Sequence, residues 1–271
     1  MFEEIKLAVA LLGGIICGIY DLKTSNMLDP VAWVMIAFGI GLHAYESYIT
    51  GNWFILQWCL IVVGLFFLFS LFMYYRGYWG GGDGEMLIAY GALLPLGLNG
   101  SPSFPLLLFI NIFLVGGIYS LFYSFILITK DKRTLSKIKK ELREYEKYFF
   151  ACIGALVGAI IFGVINPFAA PLLLVVALFF LYPPILKFSE FVEQNVFKRK
   201  IPVSKLKEDD VLGEDIPQLG LKAKLVRGLS KEEVKKIRKV RKYVVIKEGV
   251  RFIPVFPTAL ILSLYSFPFV F

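Results

Sequence analysis

Apolar residues occupy most of the chain in long runs that short polar segments interrupt. A helix of about 20 apolar residues crosses the roughly 30 Å hydrocarbon core of a bilayer. Because the runs are continuous and lack the alternation of barrel strands, they predict helices. Eight runs are present, and the first and fourth are short: about 5–20, 31–50, 53–75, 86–99, 104–129, 149–165, 168–187 and 252–270. We therefore expect an all-α polytopic membrane protein with about eight transmembrane helices.

Two charged segments divide this apolar pattern. Residues 130–147 have helical charge spacing and are predicted to continue the fifth helix along the membrane surface as an amphipathic segment. Residues 188–251 are long enough for a small cytoplasmic module of mixed structure, in which Ser230 and Glu233 predict a capped helix and 244–246 a strand. The predicted domains are a membrane core, a basic amphipathic segment, a helical hairpin, the cytoplasmic module and a last helix: 1–129, 130–147, 148–187, 188–251 and 252–271.

Composition and charge agree with a membrane location. The 271 residues are 58% hydrophobic, with a mean hydropathy of +0.70 and a net charge of +8. Of 29 Lys and Arg residues, 8 lie in 130–147 and 17 in 188–251, and with eight spans only Lys6 falls on the opposite side. The positive-inside rule makes the basic side cytoplasmic and both termini external, so we expect lipid and not nucleic acid around this chain.

The cysteines suggest no metal site. Cys17, Cys59 and Cys152 lie singly in apolar runs, and the sequence has no Cys-x-x-Cys pair. We interpret them as small core residues and expect no metal or organic cofactor.

Few carboxylates remain outside the charged segments and the N-terminal Glu3 and Glu4: Asp21, Asp29, Glu46, Asp83 and Glu85. Asp21 and Asp83 fall at the cytoplasmic ends of the first and fourth predicted helices, at one depth. Two close carboxylates in a partly dry site share a proton, and such a pair can activate water for peptide hydrolysis. The glycines at 80–82 are predicted to permit positive φ and close approach of a substrate. Alternatively, Asp83 and Glu85 only cap a helix in a flexible loop.

Two motifs resemble a known protease family. "GGGD" at 80–83 resembles the G-x-G-D motif of intramembrane aspartic proteases, and "DLKTSNMLD" at 21–29 is similar to the D-x-K/R segment of type IV prepilin peptidases. The archaeal preflagellin and prepilin peptidases fit best. The resemblance implies that Asp21 and Asp83 are catalytic, and that Gly80, Gly82 and Lys23 support the motifs.

The chain departs from the family pattern at two places, with Glu85 where relatives often have Lys and Met27-Leu28 where they have Ile-Pro. It lacks the Cys-x-x-Cys pairs of bacterial relatives, so N-methylation is not expected. Presenilin-like proteases also use G-x-G-D, but their aspartates lie in adjacent spans and a Pro-Ala-Leu motif follows, which this chain lacks.

The remaining polar residues leave alternatives open. Asp29 either caps the second helix or, with Glu85, attracts a basic leader peptide, and His43 with Glu46 forms either a structural pair or a proton relay. The predicted function is removal of a basic leader, a class III signal peptide, from archaellin or pilin precursors at the cytoplasmic face. The alternative is a small transporter that binds a proton or cation at the same aspartates. The oligomeric state is left open.

Overall fold

The computed structural model describes residues 2–97, 100–166, 169–208, 210–223 and 228–270. Within these ranges the chain forms ten α-helices and a three-stranded sheet. The helices are α1 (Phe2–Thr24), α2 (Asp29–Thr50), α3 (Phe54–Tyr75), α4 (Gly81–Leu93), α5 (Phe104–Thr129), α6 (Lys132–Arg143), α7 (Glu146–Ile165), α8 (Ala169–Val192), α9 (Lys231–Val240) and α10 (Val255–Val270). The strands are β1 (Lys198–Pro202), β2 (Val211–Leu212) and β3 (Tyr243–Lys247).

The short helix α4 lies at the centre of the largest hydrophobic core. Nearly all its residues from Gly84 onward are buried, and it packs against α1, α2 and α3. Helix α10 contributes to the same core and packs against α5 and α1. At 1.5 Å per residue the 13 residues of α4 extend about 20 Å, less than the roughly 30 Å core of a bilayer. The apolar character of α4 therefore matches its position inside the protein.

The helices support a multi-pass membrane protein with fewer clear spans than predicted. Among the described residues, four helical stretches are long and apolar enough to cross a membrane: Phe2–Thr24, Phe54–Tyr75, Phe104–Thr129 and Pro171–Phe197. A fifth results if α6 and α7, which meet at a 69° bend, form one broken span. All eight predicted runs overlap helices, but the fourth run is helical only as far as Leu93. Helices α4 and α10 are short, and α2 is less apolar because it contains His43 and Glu46. Eight spans are therefore not established.

Some predicted positions lie outside the described residues: 98–99 in the fourth run, 168 in the seventh, 209 and 224–227 in the predicted module, and both ends of the chain at 1 and 271.

The basic segment forms a helix of its own and does not continue α5. Helix α5 ends at Thr129, and Asp131 caps α6 by accepting hydrogen bonds from the backbone N–H groups of Arg133 and Thr134, both at 3.1 Å. Asp131 also accepts a hydrogen bond from the Thr134 hydroxyl, and these bonds lower the pKa of the Asp131 carboxyl. Helix α6 contacts α5 and α8, and α8 packs mainly against α7.

Residues after α8 build a separate small core around an antiparallel sheet of order β1-β3-β2. Lys198 pairs with Lys247 and Pro202 with Tyr243 across β1 and β3. The Ser230 hydroxyl and the Glu233 carboxylate form the predicted capping box at the start of α9, and β3 contains the predicted strand. Both of these sequence predictions are confirmed.

The cysteines are confirmed as core residues. Cys17, Cys59 and Cys152 are buried with free thiols.

Candidate active site

Asp21 occupies the last turns of α1 and is almost fully buried. Its side chain is 6% exposed, and Oδ2 accepts a hydrogen bond from the backbone N–H of Ile253 at 3.2 Å. The helix stops just after it, because Ser25 has a φ of 59°, the left-handed conformation that ends helices. Asp21 is thus held between the end of α1 and the segment that leads into α10.

Asp83 occupies the first turn of α4 and is half-buried. Its Oδ2 accepts a hydrogen bond from the backbone N–H of Gly80 at 3.1 Å, which is the arrangement of one half of a capping box. A carboxylate is favourable here because the helix N-terminus carries partial positive charge. The structure therefore agrees with the interpretation that Asp83 caps α4. This capping is compatible with a chemical role for the same carboxyl group. Glu85 lies beyond the first turn of α4, and among the described residues its side chain caps no helix end.

The three glycines before Asp83 have an ordinary backbone conformation, and one of them allows two segments of the chain to pack closely. Gly80 has a φ of −71°, and neither Gly81 nor Gly82 has a positive φ, so the prediction of left-handed backbone there is wrong. A Cβ on Gly82 would lie 2.6 Å from Met27 Cβ and 2.7 Å from its Sδ, whereas one on Gly80 would meet Asp83 Oδ2 at an ordinary 3.6 Å. Gly82 is the glycine of this group that lets α4 reach the α1–α2 loop.

The carboxyl groups of Asp21 and Asp83 lie close enough to interact electrostatically. Further along the same pair of helices, the Tyr90 hydroxyl of α4 donates to the Ala10 carbonyl of α1 at 3.0 Å. A late residue of α1 thus lies near an early residue of α4, and an early residue of α1 near a late residue of α4. The two helices are therefore antiparallel, and the Tyr90 bond fixes their register.

The other predicted site residues lie on α1, α2 and α4 and differ in their exposure. Lys23 is exposed in the last turn of α1. Asp29 is the exposed first residue of α2; it is not the N-cap, because that position is Leu28 and no side chain caps the helix, so the capping prediction for Asp29 is wrong. Glu85 interacts electrostatically with Asp29, and its Oε2 is buried without a hydrogen-bond partner among the described residues. These two carboxylates form an acidic pair, and Glu85 is two residues after Asp83 in α4.

The structure also brings residues to Asp21 that sequence reasoning missed. Arg251 donates from Nε to the Ser25 hydroxyl at 3.0 Å and from Nη1 to the Leu22 carbonyl, and its charge acts on Asp21. Tyr119 and Tyr123 of α5 lie within electrostatic reach of both Asp21 and Arg251. Arg251 is about 230 positions from Asp21 in the chain, and no local pattern marks it among 29 basic residues.

His43 and Glu46 lie near the opposite end of α1 and belong to a buried ionic cluster. Lys6 is 1% exposed and contacts Glu46 at 3.1 Å and Glu3 at 2.5 Å. His43 Nδ1 lies 3.7 Å from Glu46, and His43 Nε2 lies 3.4 Å from the Leu93 carbonyl. The cluster connects α1, α2 and the end of α4, which favours the structural interpretation of His43 and Glu46.

Metal-ligating side chains are not clustered in the part of the chain that the structure describes: it contains no group of three or more His, Cys, Asp or Glu residues that could hold an ion.

Comparison with known proteins points to one family. Residues 8–121, which include Asp21 and Asp83, match the model of the type IV leader peptidase family. The chain is 33% identical over 121 residues to a preflagellin peptidase of Methanocaldococcus jannaschii, covering 40% of this chain and 51% of that protein. It is 30% identical over 141 residues to a preflagellin peptidase of Methanococcus maripaludis, covering 47% and 59%. A preflagellin peptidase of Methanococcus voltae is 31% identical over 121 residues, covering 40% and 51%. The chain thus spans little more than half the length of the curated relatives it matches.

Proposed function

We propose that the chain is a membrane aspartic endopeptidase, because residues 8–121 match the model of the type IV leader peptidase family. It removes the short basic leader of archaellin or type IV pilin-like precursors at the cytoplasmic face. The observation that supports the proposal is the electrostatic interaction between the carboxyl groups of Asp21 and Asp83, which 61 residues separate in the chain.

The chemistry needs one ionised and one protonated carboxyl group. Two like charges at short distance disfavour double ionisation, so a close pair of carboxyls retains one proton. The ionised carboxylate takes a proton from water as the water oxygen bonds to the scissile carbonyl carbon, and the protonated carboxyl donates to the carbonyl oxygen. Collapse of the resulting diol breaks the C–N bond, and the departing nitrogen takes up a proton. Asp21 and Asp83 supply both groups from the ends of two packed helices.

Recognition of the leader is assigned to the acidic pair Asp29 and Glu85. Asp29 is exposed at the start of α2. The Glu85 carboxyl has a hydrogen bond with the Trp33 side chain, but its Oε2 is buried with no hydrogen-bond partner among the described residues. An unsatisfied buried carboxylate oxygen is costly, and a Lys or Arg side chain of a bound leader would provide the missing donor. The acidic pair therefore favours a basic substrate segment next to the scissile bond.

The cytoplasmic orientation rests on charge. Under the eight-span topology, 28 of the 29 Lys and Arg residues fall on the side of Asp21 and Asp83, and Lys6 falls on the other. Such a bias is the usual mark of the cytoplasmic side.

The decisive experiment is cleavage of a precursor by purified protein in detergent. Asp21→Asn and Asp83→Asn each abolish the mass loss that corresponds to leader removal, while the melting temperature stays close to that of the parent. Glu4→Gln is the matched control: Glu4 is an exposed carboxylate on the same helix, about 25 Å from Asp21 at 1.5 Å per residue, and its variant cleaves normally. Normal cleavage by either Asp variant contradicts the proposal.

The rival function is transport of a proton or cation through the same aspartates. Reconstituting the same proteins in liposomes distinguishes transport from proteolysis. Ion uptake by the parent that is lost in both Asp variants, without precursor cleavage, would favour the transporter.

A further inference from the structure

The segment between β3 and α10 returns to the end of α1 and closes over Asp21. Arg251 donates to the Leu22 carbonyl and to the Ser25 hydroxyl, and two residues later the Ile253 N–H donates to Asp21 Oδ2 at 3.2 Å. The last carbonyls of a helix lack partners within the helix and carry partial negative charge, so a guanidinium is well suited to this position. One short segment thus contacts both the helix end and the carboxylate on it.

The charges and hydrogen-bond donors around Asp21 therefore differ from those around Asp83. Asp21 faces the positive charge of Arg251 and a backbone donor from Ile253. Asp83 accepts a hydrogen bond from the Gly80 N–H and faces the carboxyl group of Asp21. Two phenols on α5, those of Tyr119 and Tyr123, also interact electrostatically with Asp21, and they are neutral near pH 7. Glu248 interacts with Tyr123 and is paired with Arg199 at 3.0 Å. Among these groups Arg251 carries a full positive charge, and this charge acts on Asp21.

We propose that Arg251 is a positioning residue that holds Asp21 as the ionised, water-activating member of the pair and leaves the proton on Asp83. This inference rests on the proposed function and deepens it, because it gives the two aspartates different roles. A nearby cation stabilises a carboxylate, and the contacts with Leu22 and Ser25 fix the guanidinium relative to the helix that carries Asp21. Arg251 acts through Asp21 and has no contact with the reacting atoms in this assignment.

The test is the pH profile of kcat/KM for precursor cleavage, in which the acidic limb reports the base and the alkaline limb reports the acid. Loss of a neighbouring cation typically moves the titration of a carboxylate by about one pH unit or more, and Arg251 is half-buried, so we expect the lower end of that range. Arg251→Gln therefore moves the acidic limb about one unit to higher pH, which lowers kcat/KM about tenfold on the acid side. Activity at the alkaline side of the optimum changes much less. Arg251→Lys restores most of the parent profile.

Two controls separate this role from simple stabilisation. Arg241→Gln removes the same charge from an arginine that is paired with Glu214 at 2.8 Å, and it leaves the profile in place. Ser25→Ala removes one hydrogen bond of Arg251 but retains its charge, so it shifts the limb less than Arg251→Gln.

The outcomes are distinct. If the parent enzyme cleaves and Arg251→Gln lowers activity equally at every pH, Arg251 is structural and the inference is overturned. If the alkaline limb moves and the acidic limb does not, Asp21 is the acid and the assignment is reversed. If the parent protein cleaves no precursor, the proposed function itself fails.

Discussion

Gly82→Ala tests whether the approach of α4 to the α1–α2 loop sets the distance between the two aspartates. A Cβ at position 82 would lie 2.6 Å from Met27 Cβ, whereas carbon atoms in contact are about 3.5–4.0 Å apart. The shortfall is about 1 Å. Rotation of the Met27 side chain moves Sδ and Cγ away, but Cβ stays in place because it is bonded to the backbone. The backbone of α4 or of the loop must therefore shift.

The shift falls one residue before Asp83. Overpacking of this kind costs about 1–3 kcal/mol of stability, and a displacement of about 1 Å at a catalytic group reduces the rate about 100-fold. We expect Gly82→Ala to lower kcat for precursor cleavage by 10- to 100-fold and to lower the melting temperature by several degrees. Initial rates on a precursor in detergent, with thermal unfolding of the same samples, measure both effects.

Matched variants locate the cause at a single atom. Gly81→Ala is the control, because a Cβ there meets no described atom within 4 Å, and it keeps parent activity. Met27→Gly in the Gly82→Ala background removes the obstructing Cβ and restores most of the activity, while Met27→Ala retains that Cβ and restores little. Equal activity of Gly82→Ala and Gly81→Ala, or equal rescue by the two Met27 changes, would refute the reasoning.

Three further outcomes follow from the charge distribution. Neutralising Asp29 and Glu85 together raises the KM for a Lys-rich leader about fivefold with kcat nearly unchanged, since partly exposed pairs contribute up to about 1 kcal/mol. The difference shrinks at high salt, and a glutamine-substituted leader shows no such change. A cysteine introduced at Lys205, in a background without native thiols, is not labelled from outside intact cells, and labelling would overturn the orientation. Lys6→Met leaves the partly buried Glu46 without its cation and destabilises the protein by about 2–3 kcal/mol, as seen in thermal unfolding, with cleavage unchanged at permissive temperature.

The sequence predicted the helices well because long apolar runs are a local property. Every predicted run overlaps a helix, although the fourth run extends past the end of α4 at Leu93, and the capping box at Ser230 identified the start of α9. Whether a helix crosses the membrane depends on its neighbours as well. Helix α4 is apolar because other helices surround it, and its 13 residues are too few to span the bilayer. Hydropathy alone cannot distinguish these two environments.

The candidate site was predicted through its motifs and not through its contacts. The acidic residues stood out because carboxylates are rare in the apolar runs, and the glycines stood out as a cluster. Their physical role was misjudged: the requirement at Gly82 comes from Met27, 55 residues earlier in the chain, and not from its own backbone angles. Asp29 was placed at a helix start correctly, but the side chain does not cap it. Contacts between distant segments are not encoded in local spacing.

The most distant of these contacts joins Asp21 to a part of the chain outside the matched family region. Asp21 and Asp83 both lie within residues 8–121, whereas the Ile253 N–H and the Arg251 guanidinium arrive after the three-stranded sheet. That sheet is tied to the end of α8, since Lys247 contacts Glu193 at 2.8 Å and the Glu248 N–H donates to the Phe197 carbonyl at 2.9 Å. A displacement of the sheet would therefore act directly on the segment that holds Asp21. The two aspartates can be recognised in the first 121 residues, but the surroundings of Asp21 are completed by residues after position 248.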